Sequence, residues 1–206
     1  MVDDGLNALG AARARTLRTV ASLSQAQLDF SPRAGRWSIG EVVDHLLLAE
    51  GLYREEIARL AKLGRAGRPA YLRRSFADMN GAPFFLPDIV LSWLDAPFSI
   101  LSRLIPDALR AFATEYPILP IRNPDAATPR PRRRATELRD ELLSSLQHTR
   151  ALIASNADLD FTTMVSEHPL TGANDVGHML TFLANHERRH YRQIDRVKSD
   201  SAFPRA

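Results

Sequence analysis

The chain has 206 residues, of which 45% are hydrophobic, and this suits one domain with a substantial core. It contains no cysteine, which excludes disulfides, thiolate metal ligands and a protein thiol nucleophile. Its net charge of +3 is small for a nucleic-acid-binding protein. No uninterrupted apolar stretch could span a bilayer, and the first ten residues lack the features of a secretory signal. We therefore expect a cytoplasmic protein with neither membrane nor nucleic-acid partners.

The first predicted helix runs from Leu6 to about Leu23. Its inward stripe recurs at helical spacing and consists of Leu6, Leu9, Arg13, Leu17 and Val20. The following residues, 22–40, contain Ser, Pro and Gly, which interrupt helices. They are predicted to form a connection without regular structure.

A second helix is predicted from Ile39 to about Lys62. Ser38 is followed three residues later by Glu41, which is the pattern of a capping box. His45 lies on the inward side of this helix, among apolar residues. A lone inward histidine is usually a hydrogen-bonded core residue, so its meaning depends on what the other helices bring to it.

Residues 68–134 are rich in proline and show little periodicity. We interpret them as a long irregular insertion between the second and third helices, either structural or forming a wall over a site. Arg130, Arg132, Arg133 and Arg134 form a short basic run there. Because no aromatic residues interleave with them, a solvated loop is favoured over a nucleic-acid patch.

The third predicted helix covers residues 136–155, with Thr136 as its N-cap. Its inward residues are Leu138, Leu142, Leu146, Leu152 and Ile153. The fourth predicted helix runs from about Asp175 to Val197, and Asp175 or Asn174 caps it. No segment alternates as a strand does. The sequence therefore predicts an all-α fold, most simply a four-helix bundle, in a single domain spanning residues 1–206.

The fourth helix carries His186 and His190 on its apolar seam, with Gln193 one turn further on. Residues four apart project from one helix face about 6 Å apart, so the two rings could share a metal ion. One interpretation is a zinc metalloprotease of the HExxH type, in which Glu187 would be the general base. The two arginines within the motif, and the lack of a third ligand at a familiar spacing, disfavour it.

A second interpretation joins His45 to His186 and His190 across two facing helices. Three neutral imidazoles suit a divalent metal, with zinc or nickel preferred and iron a further option. Such a site leaves positions open for water or substrate, as catalytic metals require. Glu41, Glu187 and Gln193 are the candidates for hydrogen-bonding to the ligand rings. No catalytic general base can be assigned from the sequence, and neither His168 nor His178 can be shown to reach the site.

Two segments, WSIGEVVDHLLLAE (37–50) and HPLTGANDVGHMLTFLANHERRHYRQI (168–194), resemble the two signatures of the DinB/YfiT-like family. The matching positions are Trp37, Ser38, His45, His186, His190, Gln193 and Ile194. The chain departs from the family at His178, where relatives commonly have an acidic residue. Residues 68–134 also form a longer insertion than in compact members.

The resemblance implies a four-helix bundle, often dimeric, that binds one divalent metal through the three histidines. It further implies an enzyme acting on a small-molecule substrate, either a hydrolase or an S-transferase with a low-molecular-weight thiol as cosubstrate. The alternative is a non-catalytic, stress-associated bundle in which the metal only joins two helices. A homodimer is expected by the same resemblance.

Overall fold

A computed structural model describes residues 1–74, 127–168 and 172–205, and this part of the chain is mostly helical. Its helices are α1 (Val2–Ala21), α2 (Gln25–Asp29), α3 (Ile39–Arg65), α4 (Ala135–Ala154) and α5 (Val176–Lys198). Its strands are β1 (Tyr71–Arg73), β2 (Val165–His168) and β3 (Gly172–Asp175). None of the described helices combines the length and apolar character needed to cross a bilayer.

Two of the predicted helix starts are confirmed by their capping interactions. Ser38 accepts a hydrogen bond from the Glu41 backbone N–H, and the Glu41 carboxylate accepts one from the Ser38 N–H at 2.8 Å. At the start of α5, the Asp175 carboxylate accepts the His178 N–H at 2.9 Å. Each cap satisfies backbone donors that have no partner inside the helix.

Two local predictions were wrong. The segment predicted as a connection contains α2, which Ser24 and Gln27 begin with a reciprocal capping box. This five-residue helix is too short for its apolar residues to show a period. The predicted N-cap Thr136 lies inside α4, which begins at Ala135 and has Arg134 at its N-cap position without a side-chain hydrogen bond.

The prediction of an all-α fold also needs correction, because the three strands form a small sheet. β1 pairs in parallel with β2, and β2 pairs with β3 in antiparallel fashion. Strands of three and four residues are too short to reveal alternation in a sequence. β1 lies within residues 68–134, which were predicted to be irregular. The rest of that prediction concerns mostly residues 75–126, which lie outside the described part.

The four long helices pack against one another in pairs. α1 contacts α5 and α4, and α3 contacts the same two helices. α1 and α5 approach each other closely at Gly5, where an added Cβ would lie 2.7 Å from the Leu180 Cβ. A side chain there would push the two helices apart, so glycine permits their close packing.

Two apolar clusters form the core, one toward each end of the helices. The first, nearer the sheet, includes Leu9, Ile57, Leu60, Met179 and Leu180. The second includes Val20, Ile39, Val42, Leu142 and Ile194. Each long helix has a buried polar residue between its contributions to the two clusters. These residues are Arg13, Glu50, Thr149 and Glu187. The core is thus divided by a polar layer.

Arg13 is the centre of this layer, which we call the Arg13 network. Its guanidinium donates to Glu187 at 3.0 Å, to Glu50 at 2.8 Å and to the Leu142 carbonyl at 2.6 Å. Glu50 in turn accepts the hydroxyls of Ser145 and Thr149 at 2.8 and 2.7 Å. The side chains of Arg13, Glu50 and Glu187 are at most 2% exposed. One arginine therefore links all four long helices by charge-assisted hydrogen bonds.

Replacing Arg13 by Met would leave Glu50 and Glu187 buried without their cation. We expect the free energy of unfolding, measured by urea denaturation, to fall by about 3–5 kcal/mol. Arg18→Met is the matched control, because Arg18 lies on the same helix but is exposed. Equal, small effects of the two substitutions would contradict the structural role of the Arg13 network.

Candidate metal centre

The structure brings His45, His186 and His190 together, although 141 residues separate the first two. His45 comes from the second turn of α3, and the other two come from successive turns of α5. The His186 Nε2 atom lies 3.2 Å from His45 Nε2 and 3.1 Å from His190 Nε2. One ligand atom from each ring falls within 4.8 Å of the others. The three side chains could therefore hold a metal ion.

Two of these rings are oriented by hydrogen bonds on their far side. His45 Nδ1 lies 2.8 Å from the Ala127 carbonyl oxygen, and His190 Nδ1 lies 2.9 Å from Gln193 Oε1. A carbonyl oxygen can only accept, and we assign the Gln193 amide so that its oxygen faces the ring. Both Nδ1 atoms then carry the proton. The Nε2 atoms of His45 and His190 consequently present lone pairs toward His186.

Two of the three nitrogen separations match those around a bound cation, and all three atoms lie within 4.8 Å of one another. The Nε2 atoms of His45 and His190 are both hydrogen-bond acceptors, and only His186 Nε2 can carry a proton between them. A single N–H therefore serves two acceptors, and the three nitrogens cannot satisfy one another fully by hydrogen bonds. Around a metal with bonds of about 2.1 Å, two nitrogen ligands are about 3.0 Å apart at a 90° angle and about 3.4 Å apart at the tetrahedral angle. The observed separations of 3.1 and 3.2 Å lie between these values.

Aromatic side chains pack around the three imidazoles. Trp37 lies against His45 and His190, with ring centroids 4.9 and 6.3 Å away. Phe182 stacks on His186 at 5.9 Å, and Tyr53 stacks on Phe182 at 5.2 Å. These rings restrict the rotation of the histidines and reduce the local polarity, which strengthens electrostatic interactions there.

Burial lowers the pKa of all three histidines. For His186 the charges of His190, His45 and Arg189 act in the same direction, and its pKa lies well below the usual value. Burial, with His45 and Arg189, lowers the pKa of His190 to about 3. Burial also lowers the pKa of His45, although the bond to Ala127 opposes this. All three rings are therefore neutral near pH 7, which is the form that binds metals.

Among the predicted supporting residues, Gln193 contacts a ligand ring, whereas Glu41 and Glu187 do not hydrogen-bond to any of the three. Glu41 is engaged in its capping box. Glu187 is turned toward the Arg13 network, where both of its oxygens accept from Arg13. This places the carboxylate on a different side of α5 from the histidines. The geometry offers no support for Glu187 as a metalloprotease base.

His178 and His148 lie outside this cluster. His178 is in the first turn of α5, where its Nδ1 is 3.0 Å from Asp175. His148 is exposed on α4. His168 is the last residue of β2. His178 does not belong to the group of described residues that could hold a metal ion.

Sequence reasoning missed the contacts that attach the loop before α4 to the part of α3 that carries His45. The Ala127 carbonyl has no sequence signature, because any residue supplies a backbone acceptor. Asp44 is fully buried beside His45 and pairs with Arg130 and Arg133, each at 2.8 Å. An acidic residue on the inward side of α3 and a basic run are the signals that could have indicated this pairing. Arg133 was predicted to be solvated, but its side chain is only 12% exposed.

One comparison with known proteins gives a match. The model of the DinB superfamily matches residues 8–194, which include both histidine-bearing helices. No curated protein and no solved structure shows a significant match to the chain.

Because Glu187 neutralises Arg13, we expect Glu187→Gln to lower the free energy of unfolding by about 3 kcal/mol or more in urea denaturation. Glu137→Gln is the control, since Glu137 is 46% exposed on α4. Casein cleavage by the wild type that disappears in a stably folded Glu187→Gln variant would instead establish the protease role.

Proposed function

Because the chain belongs to the DinB superfamily, we propose that it is a metal-dependent enzyme acting on a small molecule. His45, His186 and His190 would hold one divalent metal. The observation that carries this proposal is the convergence of three imidazoles, of which His45 and His190 are buried and His186 is partly exposed. The Nδ1 atoms of His45 and His190 each have a hydrogen-bond partner on the far side of the ring. The mutual packing of the four long helices supports the four-helix bundle of the family.

The donor set restricts the metal. Three neutral imidazole nitrogens and no thiolate suit zinc or nickel, and also iron. Magnesium and calcium prefer oxygen ligands and fit this site poorly. Three protein ligands leave room for a water molecule or a substrate group, as in catalytic rather than structural zinc sites.

When bound, such a metal lowers the pKa of a coordinated water or thiol and so supplies a nucleophile at neutral pH. The reaction would accordingly be a hydrolysis or an S-transfer. Since the chain has no cysteine, a thiol would enter as a low-molecular-weight cosubstrate. The aromatic side chains of Trp37 and Phe182 would keep bulk water from part of the site.

The chain's own residues would chiefly bind and orient. Ala127 and Gln193 hold the rings of His45 and His190 in the tautomer that a metal requires. Glu187 is engaged with Arg13 and is assigned no proton transfer. The second candidate is a non-catalytic site that only joins two helices, and it is favoured by the origin of the ligands in both α3 and α5.

Elemental analysis of the purified protein should find about one transition-metal ion per chain. We expect His45→Ala and His190→Ala to lose most of it, because each removes one of three ligands. His148→Ala should retain it, since that histidine is exposed and is not part of the cluster. Full retention of metal in His45→Ala would contradict the site shared between the helices, and absence of metal after reconstitution would contradict the enzyme proposal.

The same protein distinguishes the two candidate functions. In a Co²⁺-substituted sample, a small thiol should change the visible absorption if a coordination position is open. A spectrum that does not respond to thiols, small anions or changes in bound water would indicate a fourth protein ligand and a structural metal.

A further inference from the structure

Asp44 and His45 are neighbours on α3, and both bind the same short loop before α4. Asp44 is fully buried, and its two oxygens accept from Arg130 Nη2 and from the Arg130 backbone N–H at 2.8 and 2.7 Å. Arg133 adds a further hydrogen bond to Asp44 at 2.8 Å. The loop is therefore attached to α3 by backbone and side-chain bonds to one carboxylate.

The second attachment of this loop is the contact to the candidate ligand. Ala127, three residues before Arg130, is 3% exposed, and its carbonyl accepts the His45 Nδ1 proton at 2.8 Å. Three residues span at most about 10 Å, so fixing Arg130 strongly limits where the Ala127 carbonyl can lie. The hydrogen bond on His45 thus depends on the ion pairs of Asp44.

We propose that Asp44, acting through Arg130 and Arg133, is a positioning residue for the metal site. It holds the Ala127 carbonyl against His45 Nδ1 and thereby keeps the Nε2 lone pair directed at the metal. Without that acceptor, the ring is free to rotate or to carry its proton on Nε2, and either change weakens ligation. This inference rests on the proposed metal site but concerns a different residue.

The test compares Asp44→Asn and Arg130→Gln with the control Arg134→Gln. Arg134 lies in the same loop but is 83% exposed, and its contact to Glu137 is 3.9 Å long. We expect Asp44→Asn to weaken Zn²⁺ binding, measured by competition with a chelator, by about tenfold. Arg130→Gln should weaken it less, because the backbone bond remains. The Co²⁺ absorption spectrum should change in both variants and not in the control.

The outcomes separate this inference from the metal site itself. If the wild type binds no metal, the proposed function fails. If the wild type binds Zn²⁺ and both variants retain its affinity and Co²⁺ spectrum, the positioning role of Asp44 is wrong. The positioning role would also be wrong if the variants bind Zn²⁺ more weakly but keep the wild-type Co²⁺ spectrum, and if their metal-free forms unfold at a lower temperature. Such a result would show a loss of stability and no change at the metal site. Should Asp44→Asn fail to fold, Arg130→Gln, whose side chain is 60% exposed, decides the question.

A separate observation concerns Arg189, which lies between the two histidines in the sequence of α5. At 100° per residue, its position is about 60° from His186 and about 40° from Gln193, on the side away from Glu187. The residue is half-buried, and no carboxylate among the described residues pairs with it.

A half-buried arginine on the helix face next to the histidines would add its positive charge to that of a bound metal. Each disfavours the other unless an anion lies between them. The planar fork of arginine matches the paired oxygens of a carboxylate or a phosphate. We infer that Arg189 and the metal together bind such an anionic oxygen group on the small-molecule substrate. This deepens the proposed function by naming a substrate class.

The test measures Zn²⁺ affinity with and without added acetate or methylphosphonate. In the wild type, we expect at least one of these anions to tighten Zn²⁺ binding, and the more effective one identifies the preferred group. In Arg189→Gln, binding without the anion should equal or exceed that of the wild type, while the enhancement is lost. Arg188→Gln is the control, because Arg188 is on the same helix but donates to Asn185 at 2.8 Å.

Two results would overturn the assignment of Arg189. One is a wild-type protein that binds Zn²⁺ but responds to neither anion. The other is an enhancement in Arg189→Gln that equals the enhancement in Arg188→Gln. Failure of the wild type to bind Zn²⁺ under any condition would instead overturn the proposed metal site.

Discussion

The arrangement of the long helices depends on the buried charge of Arg13. A guanidinium in the core is stable only where carboxylates and carbonyls surround it, and here α3, α4 and α5 each supply a partner. Apolar contacts tolerate small rotations of a helix, whereas these hydrogen bonds do not. The Arg13 network therefore selects one rotational setting of α5, in which Glu187 faces α1.

The same rotation sets the direction of the histidines. Around α5, His186 lies about 100° and His190 about 60° from Glu187, so fixing Glu187 on Arg13 turns the two histidines toward α3. On α3, Glu50 and His45 are five residues apart and lie about 140° from each other. The helices that share the Arg13 network thus also share the histidine cluster on another face. Stability of the core and geometry of the site have one common cause.

The sequence predicts what is periodic and local, and misses what depends on distant partners. His186 and His190 could be identified because they occupy apolar seam positions four residues apart, and His45 because it lies on the inward side of a capped helix. Arg13 stood on the predicted inward stripe, but its partner Glu187 is 174 residues away. The short strands and the Ala127 carbonyl give no periodic or chemical signal, so only the folded chain reveals them.

The HERRH segment shows why a short motif does not determine chemistry. In a metalloprotease the glutamate of such a motif must face the metal-bound water to act as its base. Here the neighbouring helix supplies Arg13, and the attraction between buried opposite charges turns Glu187 into the core. The third histidine that lies close to those of the motif comes from α3. Arg13 on α1 thus holds Glu187 away from the position of a base, and this favours a three-histidine site without a glutamate base.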